Sequence, residues 1–234
     1  MTSVIDFETQ KKYARIAGLL YLIIFITAGF AEGYVRSGLI VAGDAATTAQ
    51  NILNAQGLFR LALAGDLITF ISDAIVAVLL YLLLKEVNKP LAIIVMVLRV
   101  LAHPAIGSIN LVNHLSALNI LIDPVLAVSL GIDQVQQLAM QALIAHKTGY
   151  LIAGAFFGVQ CALLGYLIYK SDLIPKVIGL LLMVAAVGYL IESFGGFLLP
   201  QYSELYSMIV AIPAIIAEGA LCLWLLIKGI KTQS

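Results

Sequence analysis

The chain has 234 residues with 13 basic and 13 acidic side chains, and it is 62% hydrophobic but only 11% charged. Soluble domains are typically about a quarter charged, so this composition excludes an ordinary soluble protein and indicates a membrane protein. A formal net charge of zero offers no basic face to phosphates, and we expect no nucleic-acid partner. Cys161 and Cys222 lie in apolar runs, which favours small buried side chains over redox or metal ligands.

Six apolar segments are long enough to cross about 30 Å of hydrocarbon, which takes about 20 helical residues. The predicted spans are 14–33, 57–84, 91–120, 141–169, 176–199 and 205–228. They predict an all-α fold, a polytopic bundle of six transmembrane helices that forms a single domain over 14–230. The first run follows basic residues, as a signal peptide does, but it is long and lacks a small-x-small site. We interpret it as an uncleaved span.

Basic residues flank alternate ends of these spans. One set of ends carries Lys11, Lys12, Arg15, Lys85, Lys89, Lys170, Lys176, Lys228 and Lys231. The opposite loops, near 34–56, 121–140 and 200–204, contain only Arg36 as a cation. By the positive-inside rule, we expect both termini in the cytoplasm, with 1–13 as an N-terminal segment and 231–234 as a tail.

Local signals refine this outline. Asp44 is a candidate N-cap for a short helix that ends near residue 56, and Asp133 is a candidate N-cap for the fourth span. Pro90 fits a first helical turn, where a missing N–H is tolerated. Pro104 and Pro213 lie inside spans, where we expect them to bend the helix.

The third span is unusually polar for a membrane helix. At about 100° per residue, Arg99, His103, Gly107, Asn110 and His114 fall on one stripe. Lipid on all sides would not tolerate such a stripe, so we expect it to face other helices or a wet cavity.

Depth along each span, counted at 1.5 Å per residue from the cytoplasmic end, places the polar residues in three layers. A central layer at about 12–18 Å contains Asp73, Arg99, His103, Gln160 and Glu218. A second layer at about 25–29 Å contains Glu32, Asp66, Asn110 and Glu192. A third layer near about 35 Å contains His114 and His146.

The central layer predicts an ion pair. An unpaired charge at the bilayer centre costs at least about 2.5–3.5 kcal/mol. We therefore expect Arg99 to pair with Asp73 or Glu218, with His103 completing the set. The remaining carboxylate would be protonated or hydrogen-bonded to Gln160. These groups, and those of the second layer, are candidates for a ligand or proton site; the alternative is pairing that only fixes helix packing.

The histidines leave two interpretations open. His114 and His146 match in depth, so they could meet as axial haem ligands or as part of a zinc set. Both also lie where a histidine reaches interfacial water. The sequence does not identify a cofactor.

Three stretches carry a family resemblance: RIAGLLY at 15–21, YKSDLIP at 169–175, and the run from Pro213 through Glu218 to WLLIKG at 224–229. In this order they resemble the bacterial multi-pass membrane proteins grouped as domain of unknown function 4386. The resemblance covers about 12 to 230. It implies a small helical membrane protein of prokaryotes, located in the cytoplasmic membrane, and no established activity.

Three functions remain open. The first is binding or transport of a small polar or amphiphilic molecule through a polar site within the membrane. The second is a metal-dependent enzyme acting on a lipid-like substrate, and the third is a scaffold whose polar groups fix packing. Sequence signatures of hydrolase elbows, zinc proteases, phosphate loops and dinucleotide sites are absent. Membrane lipids are the expected partners, and the oligomeric state is open.

The orientation is testable with single cysteines in a chain whose Cys161 and Cys222 are alanine. We expect Ser129→Cys to react with an impermeant maleimide on intact cells, because its loop lacks cations and should be outside. Glu86→Cys should react only after permeabilisation. Labelling of both positions from the same side would contradict the topology.

Overall fold

A computed structural model describes residues 6–231. The predicted N-terminal segment 1–13 is thus described only in part, and most of the predicted tail 231–234 lies outside the described residues. The helices are α1 (Phe7–Leu39), α2 (Ala45–Asn54), α3 (Gln56–Leu84), α4 (Lys89–Ile122), α5 (Pro124–Leu130), α6 (Ile132–Lys170), α7 (Lys176–Leu198) and α8 (Ser203–Ile227). A 3₁₀ turn, Pro200–Tyr202, precedes α8.

The six predicted spans are confirmed as six helices that are long and apolar enough to cross a membrane. These are α1, α3, α4, α6, α7 and α8, the last including its preceding turn. The all-α class is also confirmed, since the described residues contain no strand. Many of their large apolar side chains point outward, for example Ile109, Val184 and Ile215. Outward apolar surface on every span fits contact with lipid.

Backbone contacts group the described residues into two compact units. Unit 1 comprises 6–22, 72–105 and 151–231, and unit 2 comprises 23–71 and 106–150. Unit 2 contains an apolar core in which Ile52, Phe59 and Leu118 are fully buried. Unit 1 contains a smaller apolar cluster of Ala102, Phe157, Cys161 and Ala186.

Two spans change helix type partway along. α1 is π-helical over Gly29–Arg36, and α4 is π-helical over Leu101–Gly107. Pro104 explains the second change, because its ring displaces the carbonyl four residues earlier and it has no N–H to donate. π-Helical turns are rare and occur frequently at functional sites. Each of these two contains an ionisable residue that the sequence placed in a polar layer, Glu32 in one and His103 in the other.

The helix starts confirm two of the local signals and correct a third. Asp44 caps α2, and its carboxylate accepts hydrogen bonds from the Thr47 amide and hydroxyl. These bonds hold the pKa of Asp44 below its usual range, so the cap persists until the pH falls through that lowered value. Pro90 lies in the first turn of α4, as expected. The prediction for Asp133 is wrong: α6 begins at Ile132, so Asp133 lies within the first turn.

α1 and α8 approach closely in unit 1. A side chain at Gly18 would meet the backbone of Leu225 and Leu226, and the Cys222 thiol donates to the Gly18 carbonyl at 3.5 Å. Close approach of backbones at small residues is a usual way for membrane helices to pack.

We expect Gly18→Ala to lower the free energy of unfolding by about 1–3 kcal/mol, because the added methyl must displace helix backbone. The measurement is thermal or denaturant unfolding in detergent. Gly219→Ala is the matched control, since nothing lies within 4 Å of a Cβ there. Equal stability of the Gly18 variant and the wild type would contradict this packing.

Candidate functional site

Unit 1 contains a buried ion pair between α3 and α4. Arg99 Nη2 donates to Asp73 Oδ1 at 2.5 Å, and the two side chains are only 2–3% exposed. His103 Nδ1 lies 3.8 Å from the other carboxylate oxygen, Asp73 Oδ2. Of the two partners predicted for Arg99, the structure therefore selects Asp73, with His103 beside it. We call Asp73, Arg99 and His103, together with the aromatic rings around them, the Arg99 centre.

Two aromatic rings enclose the guanidinium. Arg99 Cζ lies 4.8 Å from the ring centroid of Tyr21 on α1 and 5.5 Å from that of Phe157 on α6. A cation over an aromatic face is stabilised by the ring quadrupole, more so when water is excluded. The ring of Phe157 also contacts His103, with centroids 4.8 Å apart. Tyr21 and Phe157 were not identified from the sequence, because aromatic residues are common throughout its apolar runs.

Glu218 has a partner other than the one expected. The Tyr189 hydroxyl on α7 donates to Glu218 Oε1 on α8 at 2.5 Å, and the expected bond to Gln160 is not the one that forms. The ring of Tyr189 packs edge-on against Phe157, with centroids 5.1 Å apart. Glu218 is thus linked to the Arg99 centre through aromatic contacts.

Several buried polar atoms near this centre have no hydrogen-bond partner among the described residues. Arg99 Nε and Gln160 Nε2 are donors of this kind, and Asp73 Oδ2 is an acceptor of this kind. Gln160 is fully buried, and its Oε1 receives only a long contact of 3.6 Å from the Cys161 thiol. Gln160 lies one helical turn beyond Phe157 on α6, so the two side chains share a face. Buried polar groups are nearly always satisfied, and each exception needs an explanation.

Unit 2 contains a second ion pair, and it corrects the assignment of Arg36 to an outer loop. Arg36 lies in the π-helical part of α1, 4% exposed, and its two terminal nitrogens donate to both oxygens of Asp66 on α3 at 2.8 and 3.1 Å. Its Nε donates to Glu32 at 2.6 Å. The Glu32–Arg36 spacing of four residues is a sequence signal that could have revealed this pair. We call these three residues the Arg36 cluster.

Asn110 and His146 are joined by two hydrogen bonds, each between the side chain of one residue and the backbone carbonyl of the other. Asn110 Nδ2 donates to the His146 carbonyl at 2.7 Å, and His146 Nδ1 lies 3.1 Å from the Asn110 carbonyl. Asn113 Nδ2 donates to Asn110 Oδ1, so both ends of this amide are occupied. Gly149 makes room for it, since a Cβ there would overlap the Asn110 side chain.

His114 and His146 lie side by side, as the depth estimate predicted. Their ring centroids are 5.4 Å apart and their planes differ by 59°. His114 Nε2 lies 3.0 Å from the Phe59 carbonyl, and its ring stacks on that of Phe59. Within residues 6–231, no three His, Cys, Asp or Glu side chains converge to hold a metal ion. In the described part of the chain, these two histidines are therefore a pair without a third such protein ligand.

Glu192 is the remaining residue of the predicted second layer. It belongs to unit 1, and its Oε1 accepts from the Ser207 hydroxyl on α8 at 2.9 Å. Of its predicted layer, Glu32 and Asp66 meet through Arg36, whereas Asn110 bonds to His146 instead. A role of any of these residues as a ligand or proton site stays a prediction.

The domain of unknown function 4386 matches residues 16–229. The chain belongs to this family. An uncharacterised protein from Archaeoglobus fulgidus is 29% identical over 171 residues, which cover 72% of this chain and 84% of that protein. No solved structure matches the chain. These comparisons give the family and no activity, so the activity is inferred from the residues.

The Arg36 cluster allows a comparison of two carboxylates on one cation. We expect Asp66→Asn to lower the free energy of unfolding by about 3–5 kcal/mol, because it leaves a buried guanidinium without its buried counter-charge. Glu32→Gln should cost less than about 1 kcal/mol, since the Glu32 side chain is 69% exposed. Unfolding of both variants in detergent measures the difference, and equal losses would contradict the assignment.

Proposed function

We propose that this protein binds or transports a small polar or amphiphilic molecule, and that a hydrogen-bond-accepting oxygen of that molecule is held at the Arg99 centre. The observation that carries the proposal is the pair of buried, unpartnered donors, Arg99 Nε and Gln160 Nε2. Donors without protein acceptors are suited to a ligand that brings its own carbonyl or carboxylate oxygen. Few precisely placed polar groups among apolar walls are typical of small-molecule sites.

Packing alone explains Gln160 poorly. A buried amide whose NH₂ group has no acceptor costs free energy that a methionine of similar shape would avoid. Packing explains the burial of Arg99 better, because Asp73 neutralises its charge and two aromatic rings contact it. A purely structural role does not account for the second unpartnered donor, Gln160 Nε2 on α6.

Partial exposure at the edge of the Arg99 centre supports access from outside. The side chain of His103 is 25% exposed, whereas Asp73 and Arg99 are buried. Glu218 and Tyr189 are half-buried. A bound molecule would reach the donors past the His103 imidazole and the Tyr189 hydroxyl.

The Arg36 cluster supports the scaffold alternative for its own residues. All three donors that Arg36 uses are matched by carboxylate oxygens. A fully satisfied pair of this kind fixes helix register without a ligand. For this reason we place the binding site at the Arg99 centre and not at Asp66 or Asn110.

We also propose a location in the cytoplasmic membrane of a prokaryote, with membrane lipids as partners. In unit 1 a groove of about 510 Å³ is lined by the basic Lys11, Lys12 and Arg15 together with Glu8, Ile16, Leu19 and Leu226. Cationic groups beside apolar side chains fit an anionic phospholipid at the cytoplasmic surface. This groove contains no residue of the Arg99 centre.

The binding proposal is tested with three probes of equal chain length: nonan-2-one, sodium nonanoate and nonane. A molecule that binds only the folded state raises the midpoint of thermal unfolding. We expect at least one of the oxygen-bearing probes to raise it more than nonane does. In Gln160→Met this extra stabilisation should be lost, because the variant keeps the shape of the side chain and removes the donor.

Gln137→Met is the matched control, since it makes the same substitution at an exposed position of the same helix. It should keep the wild-type response. If neither oxygen-bearing probe exceeds nonane on the wild type, or if Gln160→Met responds as the wild type does, the binding proposal fails. Without a probe, the unfolding midpoint of Gln160→Met should equal or exceed that of the wild type, whether or not the binding proposal holds.

A further inference from the structure

The histidine pair of unit 2 has one feature that packing does not require. A carbonyl oxygen can only accept, so the Phe59 carbonyl requires a proton on His114 Nε2 and the Asn110 carbonyl requires one on His146 Nδ1. In the neutral rings, His114 Nδ1 and His146 Nε2 then carry lone pairs. Neither of these two nitrogens has a hydrogen-bond partner in the described part of the chain.

Both rings are also buried and held in place. Their side chains are 1% and 3% exposed. Phe59 covers one face of His114 at a centroid distance of 3.8 Å, and Tyr150 contacts His146 edge-on at 4.9 Å. Two lone pairs are thus fixed by hydrogen bonds and ring contacts on α3, α4 and α6.

The arrangement matches half of a metal site. A histidine that ligates a metal almost always donates its other ring N–H to a carbonyl or carboxylate, as both of these do. Two imidazoles bound at about 2.0–2.1 Å to one tetrahedral ion have ring centroids roughly 5 Å apart. The observed separation is 5.4 Å.

We propose that His114 Nδ1 and His146 Nε2 together bind one divalent transition-metal ion of the class that prefers imidazole, such as Zn²⁺ or Cu²⁺. With no third His, Cys, Asp or Glu converging among the described residues, water or a small ligand would fill the remaining positions. The site is separate in residues from the Arg99 centre, so either proposal can fail without the other.

The charges around the pair do not forbid a cation. Arg36 is a positive group near the pair, 6.0 Å from the Tyr150 ring, but Asp66 and Glu32 both pair with it. The Arg36 cluster therefore has a formal charge of −1, which partly offsets the repulsion between Arg36 and a bound ion.

The test uses full-length protein purified in detergent through a tag that contains no histidine, stripped of metal and titrated with Cu²⁺ alone. We expect one ion per chain, with an electron paramagnetic resonance spectrum that shows coupling to two imidazole nitrogens. Zn²⁺ should compete for the same site. Failure of the wild type to bind one equivalent, or a spectrum without two nitrogen couplings, would overturn the proposal.

Variants then locate the ion. His114→Gln and His146→Gln should each weaken Cu²⁺ binding by about ten-fold or more and reduce the coupling to one nitrogen. His103→Gln removes the remaining histidine of the chain and should leave binding unchanged. If either variant of the pair does not fold, the wild-type spectrum together with His103→Gln still decides. Loss of binding in His103→Gln, or retention in both variants of the pair, would place the ion elsewhere.

Discussion

A charge inside an apolar helix must bring its own counter-charge, and this constraint organises the polar interior of the protein. Arg99 and Arg36 are both buried, and each is paired with a buried aspartate on α3. Those aspartates, Asp73 and Asp66, are seven residues apart in one continuous helix. α3, which is the second span, thus supplies the buried counter-charges for arginines on the first span, α1, and on the third span, α4. Removing either aspartate would leave a guanidinium in low dielectric, which costs far more than the pair itself contributes.

The two pairs differ in how completely they are satisfied, and this difference is the basis for proposing a ligand site at Arg99 and not at Arg36. Arg36 has a carboxylate oxygen for each of the three nitrogens it uses. Arg99 makes one short bond to Asp73 and contacts two aromatic rings, while its Nε and the Gln160 Nε2 have no described hydrogen-bond partner. A buried network that is only partly satisfied is less stable than an apolar core unless something completes it. A ligand with an oxygen acceptor would complete this one.

The sequence predicts the fold well because the length of an apolar run and the position of basic residues are local properties. All six spans follow from them. The need to neutralise a buried charge also predicted that Arg99 pairs with Asp73 or Glu218, and the structure selects Asp73. Depth counting also brought His114 and His146 together correctly. The orientation of the termini and the single domain over 14–230 remain predictions.

What the sequence could not supply depends on tertiary contacts. Arg36 lies just past residue 33, where the predicted first span ends, and so was assigned to a loop. Its contact with Asp66 makes a buried helical position favourable. Tyr189 could not be distinguished from other aromatic residues in apolar runs, so the partner of Glu218 was missed. The π-helical turns leave no periodic signature, although Pro104 marks one of them.

The central claim is that Arg99 is tolerated inside the membrane-spanning region because Asp73 neutralises it. A double-mutant cycle of Asp73→Leu and Arg99→Met, measured by reversible unfolding in detergent, tests this directly. Each single variant should lose about 3–5 kcal/mol of unfolding free energy, and the double variant should recover most of that loss. Losses that simply add in the double variant would show that the two residues do not stabilise each other and would contradict the account.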